Sequence, residues 1–439
     1  MSPATPLLLR NGRIIDPANA VDASADLLIR DGLIDRIAAG IEPPSGARVI
    51  DVAGKLVVPG LIDMHVHLRD PGFPEKETVE TGCRAAASGG FTAVACLPNT
   101  DPPIDSPQTV EYILDKARHA DARVYPIACA TKGMNGEQLT NIDALLNAGA
   151  VGFSDDGLPI ESGTVMRDLM RLSERHGFPV CPHSEVFALT RGGHMHEGAV
   201  SRELGIKGMP AEGEAAMVER DIDLMRSVGG RLHILHISVK RAVELVRRAK
   251  AEDLDVTCEA TPHHVALTDE DVPVYGTQGK MSPPLRSADD RDALLEGLAD
   301  GTIDVLATDH APHTVSEKLQ RFPEAPNGIL GLETAVGTFF THLVEPGILC
   351  ASDVIRMLSA APARILGIDG GTLSAGAPGD VSVIDPSLSW TVDARAFRSR
   401  SRNTPFHGHT LTGRAVLTIL GGRVTHDAGD KGDSAACAA

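Results

Sequence analysis

The stretch Asp63-Met64-His65-Val66-His67-Leu68-Arg69-Asp70 brings imidazoles, carboxylates and a guanidinium into one short segment. It follows the apolar run Leu56-Val57-Val58-Pro59-Gly60-Leu61-Ile62, which reads as a buried strand of a parallel sheet. Side chains alternate along a strand, so His65 and His67 point to one side and emerge together at its C-terminal end. Imidazole nitrogens placed that way can hold one first-row metal ion. Arg69 sits one step further along the same face. A metal-binding pair with a cation beside it points to hydrolysis of a small anionic substrate. Two other pairs share the spacing, His194/His196 and His407/His409, but lie among glycines and polar residues with no strand leading into them. They read as weaker metal candidates.

The 439 residues exceed what one core usually serves, but suit a barrel of about 250–300 residues with a small second domain. The formal net charge of −18 speaks against a basic nucleic-acid groove and against an anionic membrane surface. Aromatic residues are scarce, so a stacking platform for bases is absent. A negative chain that handles an anion must concentrate positive charge locally, through metals and a few arginines. Seven scattered cysteines, with no Cys-x-x-Cys, read as small core residues in a reducing cytoplasm. Leu7-Leu8-Leu9 before Arg10 is too short for a signal sequence, and no apolar run reaches membrane-span length.

Residues 1–55 alternate in short runs broken by turns. Leu7–Asp16 reads as a hairpin turning at Asn11-Gly12, and Asp26–Ile34 as another. Residues 371–426 have the same texture, and the two ends are expected to build one small β domain. The tail 427–439 is rich in Gly, Ala, Ser and Asp and is expected to be disordered. Between them, residues 56–370 alternate strands with helical patterns. After the first strand come Phe91–Leu97, Arg123–Ala130, Ala150–Ser154, Pro179–Pro182, Leu232–Ile237, Val256–Ala260 and Ile303–Thr308. Helical segments such as Thr78–Ser88, Pro107–Ala117, Glu212–Val228 and Lys240–Glu252 lie between them. The pattern predicts an α/β fold, a (β/α)8 TIM-like barrel with its site at the strands' C-terminal ends.

Those ends carry the chemistry. Strand one ends in His65 and His67, strand two in Pro98-Asn99-Thr100, and strand four in Ser154-Asp155-Asp156-Gly157. Strand five ends in His183-Ser184-Glu185, strand six carries His236, and strand eight ends in Thr308-Asp309-His310-Ala311-Pro312-His313. Singly, each has a structural explanation, such as a turn or a helix cap. Together they converge on one rim. Four histidines and two aspartates suit two divalent ions about 3.5–4 Å apart, with zinc preferred over manganese, cobalt or nickel. A shared ligand must bridge them, alongside a water or hydroxide.

In these motifs the chain resembles the dihydroorotases of the long bacterial type, within the amidohydrolase superfamily. The resemblance spans nearly the whole chain. It rests on Asp-Met-His-Val-His-Leu-Arg-Asp-Pro-Gly, Leu-Pro-Asn-Thr, Phe-Ser-Asp-Asp-Gly and Ala-Thr-Asp-His-Ala-Pro-His. It implies reversible ring closure of N-carbamoyl-L-aspartate to dihydroorotate in pyrimidine synthesis. It also implies that His65, His67 and Asp309 hold one zinc and that His183 and His236 hold the other. Many relatives bridge their metals with a carbamylated lysine after strand four. This chain has no lysine there, and an aspartate is expected to bridge. Asp156 is favoured over Asp155, because its distance to His183 better matches the family spacing. The implied mechanism has a bridging hydroxide attack the ring amide carbon while Asp309 shuttles its proton to the leaving nitrogen. Arg69, with Asn99 and His313, would grip the substrate carboxylate.

Two departures from the family pattern stand out. Lys280-Met281-Ser282-Pro283-Pro284-Leu285-Arg286 has serine where asparagine is commoner, so Ser282 would reach the substrate ring with a shorter group. Asn327-Gly328 replaces the usual Phe-Gly, so substrate contacts there would come mainly from backbone. Thr314–Pro326 reads equally as a lid or as a surface loop. His263 and His264 read as structural neighbours of the site. Rival readings are a dihydropyrimidinase or allantoinase, or a non-catalytic subunit scaffolding aspartate carbamoyltransferase. The first would be expected to show the lysine, and the second to have lost metal ligands. A homodimer or a complex with aspartate carbamoyltransferase stays open.

Overall fold

Strands from the two chain ends meet in one sheet. The structure, a computed structural model, describes residues 5–429. Across this sheet run Arg423–Asp427, Thr410–Leu420, Val381–Thr391, Leu56–Pro59, Leu7–Asp16, Val21–Arg30 and Leu33–Ala38, with Arg48–Asp51 paired to Leu7–Asp16. Leu56–Pro59 is the seam, antiparallel to Val381–Thr391 on one side and parallel to Leu7–Asp16 on the other. Alternating apolar residues, among them Leu9, Ile14, Leu27, Val57, Val383 and Ile419, build its core. Asp427 is the last residue of its strand; the part of the expected tail at 430–439 lies outside the described residues.

Two local expectations are corrected. Leu56–Ile62 is not one strand: the chain leaves the end sheet after Pro59 and enters the barrel at Leu61. Gly60 makes the crossing, where a Cβ would lie 2.1 Å from Thr92 Oγ1. Asn11-Gly12 is not a hairpin turn either. Leu7–Asp16 runs through it as one strand with an irregularity between Leu9 and Gly12. Asn11 takes φ 62° and donates its N–H to Asp26 Oδ1 at 2.9 Å. Packing overrides the local turn signal, because Gly12 lies where a Cβ would meet Val57 at 2.6 Å. The second expected hairpin forms, turning at Asp31-Gly32.

The barrel strands are β1 (Leu61–Val66), β2 (Phe91–Cys96), β3 (Arg123–Cys129), β4 (Gly152–Ser154), β5 (Pro179–Val180), β6 (Arg231–Ile234), β7 (Val256–Ala260) and β8 (Val305–Leu306). Each pairs in parallel with the next. Beyond β8 the chain returns to β1 through a parallel bridge between Val66 and His310, and His67 N donates to His310 O at 2.9 Å. Amphipathic helices such as Val79–Ser88, Pro107–Ala117, Glu212–Val228 and Lys240–Ala251 cover the outside. Thr78 and Ser106 cap the first two with their hydroxyls. Met64, Ala95, Ile127, Cys181, Leu235 and Val305 fill the barrel interior. Several strands are shorter than their apolar runs, because His183, His236 and Asp309 lie beyond the ladder, where the backbone turns into the mouth. Five of the six described cysteines are buried, and all six are free thiols.

A buried carboxylate helps to close the barrel. Asp63, on β1, accepts from Thr308 N at 3.1 Å, Thr308 Oγ1 at 2.5 Å and its own strand's His65 N at 3.1 Å. Replacing it with alanine would strand three buried donors. Asp63→Ala is expected to cost about 3 kcal/mol and Asp63→Asn about 1 kcal/mol, read from urea midpoints at unchanged slope. A loss below about 1 kcal/mol for the alanine variant would show that closure rests elsewhere.

Candidate metal centre

The pairing of β1 with β2 is irregular between Asp63 and Val66. There the inward set changes: Met64 packs inside the barrel and Val66 against the outer helices, while His65 and His67 face the mouth. Asp156 follows β4, and its N–H is held by Ser154 Oγ at 2.9 Å. Its carboxylate lies between two pairs of imidazoles. Oδ2 is 3.6 Å from His65 Nε2 and 3.4 Å from His67 Nε2. Oδ1 is 3.4 Å from His183 Nδ1 and 3.3 Å from His236 Nε2. Asp309 Oδ1 adds a second carboxylate on the β1 side, 3.4 Å from His65 Nε2 and 3.1 Å from His67 Nε2. All of these side chains are buried.

The neighbouring Asp155 faces away. It accepts from Thr131 N at 3.0 Å and from the Thr131 hydroxyl, and burial pushes its carboxyl up to about 6. Of the two aspartates after β4, only Asp156 therefore faces the imidazoles.

Among the described residues two groups could hold a metal ion, His65 with Asp156 and His236, and His65 with His67 and Asp309. The donor set fits metal ions on two grounds. His65 Nε2 and Asp156 Oδ1 are buried yet make no hydrogen bond, a combination costly without a cation between them. The charges point the same way. Burial would raise the Asp156 carboxyl, yet His65, His183 and His236 hold it well below its usual range. Burial would lower His183, yet Asp156 and Glu185 lift it to about 10. Such a set draws positive charge, which protons or divalent cations can supply.

A supporting layer fixes the imidazoles. His65 Nδ1 meets Glu259 Oε1 at 2.5 Å, and the other Glu259 oxygen meets His233 Nε2 at 3.1 Å. His183 Nε2 meets Glu185 at 3.1 Å, and His67 Nδ1 meets Asn99 Oδ1 at 2.8 Å. These contacts leave the opposite nitrogen as the free electron pair on each ring. Glu259 was not among the residues singled out from the sequence. Its signal was there: it is the one acidic residue in the buried strand Val256–Ala260.

Three site residues hold left-handed backbone, Arg69 at φ 58°, His236 at 31° and Asp309 at 46°. Each costs about 1–3 kcal/mol for a non-glycine residue and marks a conformation kept by its surroundings.

A cavity of about 370 Å³ opens over the centre, walled by His67, Arg69, Asn99, Asp156, His183, Ser282, Asp309 and Asn327 among others. Arg69 is buried, and among the described residues no carboxylate lies within 4 Å of it. Asp70, its neighbour, pairs instead with Lys116 at 2.8 Å. Arg69 donates through Nε to Pro312 O at 3.3 Å, and its Nη2 lies 3.4 Å from His313 Nε2. Burial lowers the guanidinium to about 10, so it stays charged at neutral pH.

His313 and Gly328 do not reach the cavity wall. Gly328 spends its N–H on Lys280 O at 2.9 Å and its carbonyl on Asn403 Nδ2 at 3.0 Å. A Cβ there would sit 2.6 Å from Ala311 O. The expected backbone contact from Gly328 is thus taken by the protein itself. Thr314–Pro326 also stays off the wall; it opens with the helix Val315–Lys318 and wraps the buried Lys318. His264 bonds Thr261 and Pro283 O and joins no metal-binding group among the described residues. His409 bonds Tyr275 and His407 accepts from Ala394 N, and neither they nor His194 and His196 join a metal-binding group among the described residues. No helix among the described residues is long and apolar enough to cross a membrane.

Comparison with known proteins agrees with this geometry. The family described as dihydro-orotase-like matches residues 54–242. A dihydroorotase of Syntrophotalea carbinolica is 48% identical over 97% of this chain and all of its own length. One of Pelotomaculum thermopropionicum is 50% identical over 95% of this chain and 98% of its own. Among solved structures, an L-hydantoinase (dihydropyrimidinase) from Arthrobacter aurescens superposes with TM-score 0.86 at 27% identity, covering 97% of each chain. The barrel and its companion sheet are thus shared with hydantoinases, while the sequence lies much nearer the other group: the chain belongs to the dihydroorotase family of cyclic amide hydrolases.

Proposed function

We propose that the protein catalyses the reversible ring closure of N-carbamoyl-L-aspartate to dihydroorotate, the dihydroorotase step of pyrimidine synthesis. Relatives near half identity over nearly the whole chain support the activity. The observation that carries the substrate is Arg69, a buried cation on the cavity wall with no carboxylate of its own. An uncharged ring, as in dihydropyrimidinase chemistry, would leave that charge buried and unmatched.

In this reading His65, His67 and Asp309 would hold one divalent ion, and His183 and His236 the other. Asp156 would be shared, and zinc is the preferred metal. Such a pair, when bound, supplies a hydroxide nucleophile near neutral pH and polarises the amide carbonyl. The protein's own groups do the rest. Arg69 grips the carboxylate that substrate and product both keep. His313 positions Arg69 from behind. Asn99 commits its oxygen to His67, which leaves its amide N–H groups for the substrate. Ser282 and Asn327, which line the same cavity, contact the ring, and Gly328 shapes the turn that presents Asn327. In hydrolysis Asp309 accepts the nucleophile's proton and delivers it to the ring nitrogen as the C–N bond breaks. In synthesis Asp309 takes the proton from the carbamoyl nitrogen as that nitrogen attacks the side-chain carboxyl carbon, and returns it to the carboxyl oxygen that departs as water when the C–O bond breaks. The same reading assigns the enzyme to the cytoplasm, which its free, buried cysteines support. It allows a homodimer or a complex with aspartate carbamoyltransferase.

Elemental analysis of the purified enzyme should find two zinc ions per chain. Asp156→Asn should retain at most one and lose activity by at least about a hundredfold. Full metal content with full activity would remove Asp156 from the bridge. Asp309→Asn should lower kcat by about 10² to 10⁴, and wild-type turnover in that variant would rule out the proton shuttle. Dihydroorotate, dihydrouracil and allantoin should be assayed side by side. Arg69→Gln should raise KM for dihydroorotate about tenfold to a hundredfold, the equivalent of one charge-assisted grip. Any slow turnover of neutral rings should be left unchanged. Turnover of either neutral ring with none of dihydroorotate would overturn the substrate.

A further inference from the structure

Two lysines that face neither solvent nor any carboxylate sit behind the cavity wall. Lys280 and Lys318 are buried, at 4% and 1% exposure. Among the described residues neither has an acidic group within 4 Å; their hydrogen bonds go to backbone carbonyls, and Lys280 Nζ also lies 5.3 Å from the centre of the Phe322 ring. Lys280 Nζ donates to Ala325 O at 2.6 Å, Phe322 O at 2.7 Å and Pro323 O at 3.1 Å. Lys318 Nζ donates to Gly328 O at 3.0 Å, Pro326 O at 3.1 Å and Lys280 O at 3.4 Å. Three acceptors around each nitrogen match the three donors of an ammonium, where a neutral amine has two.

We propose that Lys280 and Lys318 form an interlocked clamp that positions Asn327 and Ser282 for substrate, and so governs KM rather than kcat. The inference rests on the reading of Asn327 and Ser282 as substrate contacts. Its geometry is specific. Pro326 and Gly328 flank Asn327, so one ammonium holds a peptide oxygen on either side of the residue that lines the cavity. The other hub is Lys280 O, which receives Lys318 Nζ and Gly328 N–H together. Ser282 follows Lys280 by two residues and lines the same cavity. The segments that carry Ser282 and Asn327 are thus tied to each other through Lys280 and Lys318, not through the substrate. Burying two neighbouring amines is costly: burial pulls Lys280 down to about 8, and burial with the charge of Lys280 pulls Lys318 down to about 7, whereas apolar packing would close a loop with less. Ammonium–carbonyl bonds instead fix the direction of each peptide plane, which is what orienting a short asparagine requires.

A double-mutant cycle tests this. Lys318→Met should raise KM for dihydroorotate about tenfold with kcat within about twofold. Hydrogen exchange over residues 322–328 should speed up. Asn327→Ala alone should raise KM similarly, and the double variant should be no worse than Asn327→Ala. Additive effects, or an unchanged KM in Lys318→Met while Asn327→Ala raises it, would overturn the clamp. If Asn327→Ala leaves KM unchanged, the substrate contact itself falls, a separate failure. Lys318→Gln keeps two donors and should give an intermediate KM. Should Lys318→Met prove insoluble, a wild-type KM in soluble Lys318→Gln overturns the proposal.

Discussion

A buried carboxylate between four imidazoles, at the wall of the cavity, is the interaction on which the rest of this structure depends. Asp156 cannot be buried there unless positive charge meets it. Its two oxygens each face two ring nitrogens, delivered by β1, β5 and β6. Satisfying it therefore dictates where those strands end and which way the chain turns after them. The barrel supplies strand ends at fixed separations, and the donor set turns that regularity into a charged focus. The same focus explains the left-handed backbone of His236 and Asp309. Each residue leaves its strand and must aim its side chain inward at once, and the surrounding hydrogen bonds hold the strained turn.

The layer beneath the imidazoles sets their chemistry. Glu259, Glu185 and Asn99 each accept from the ring nitrogen remote from the centre. An imidazole held this way keeps one tautomer and becomes a better electron donor at its free nitrogen. Glu259 also spans to His233 and accepts from His236 N at 3.2 Å. One buried acid on β7 thereby ties β1 to β6. Asp63 does the corresponding work between β1 and the end of β8. The barrel's closure and the centre's geometry are not separable, because the same residues serve both.

Much of this was legible in the sequence, for reasons that can be named. Strand ends are read from apolar runs, and chemistry-bearing residues just past them in a parallel barrel must converge. Strand ends alone bring His65, His67, His183, His236 and Asp309 to one rim together with both Asp155 and Asp156; the choice of Asp156 follows from the family resemblance. What escaped this reading had a common cause, tertiary packing that overrides local pattern. Asn11-Gly12 carries a turn signal, yet Val57 presses on Gly12 and the strand continues. Leu56–Ile62 is apolar throughout, so nothing in its pattern marks the passage at Gly60 from one sheet to another. Glu259 was overlooked because a single acid inside a strand has no motif, only an energetic oddity. The family pattern places a backbone contact to substrate at Gly328, whereas its N–H and carbonyl are bonded within the protein.

The placement of cations completes the argument. A chain of net charge −18 repels an anionic substrate at long range, so its positive groups at the cavity must be both few and free to act. An arginine paired to a carboxylate would have spent its attraction before the substrate arrived. Arg69 avoids that by leaning on a carbonyl and an imidazole, neither of which neutralises it. Lys116 takes Asp70, the acid next in sequence, and so keeps it from the guanidinium. Lys280 and Lys318 likewise hydrogen-bond to carbonyls, with no carboxylate within 4 Å among the described residues, and carbonyls orient a cation without cancelling its charge. Positive charge at this cavity is therefore held by dipoles, while the acidic side chains are reserved for the centre that Asp156 organises. That division of labour gives an acidic protein a cavity with a cation, Arg69, on its wall and a cluster of carboxylates and imidazoles beside it.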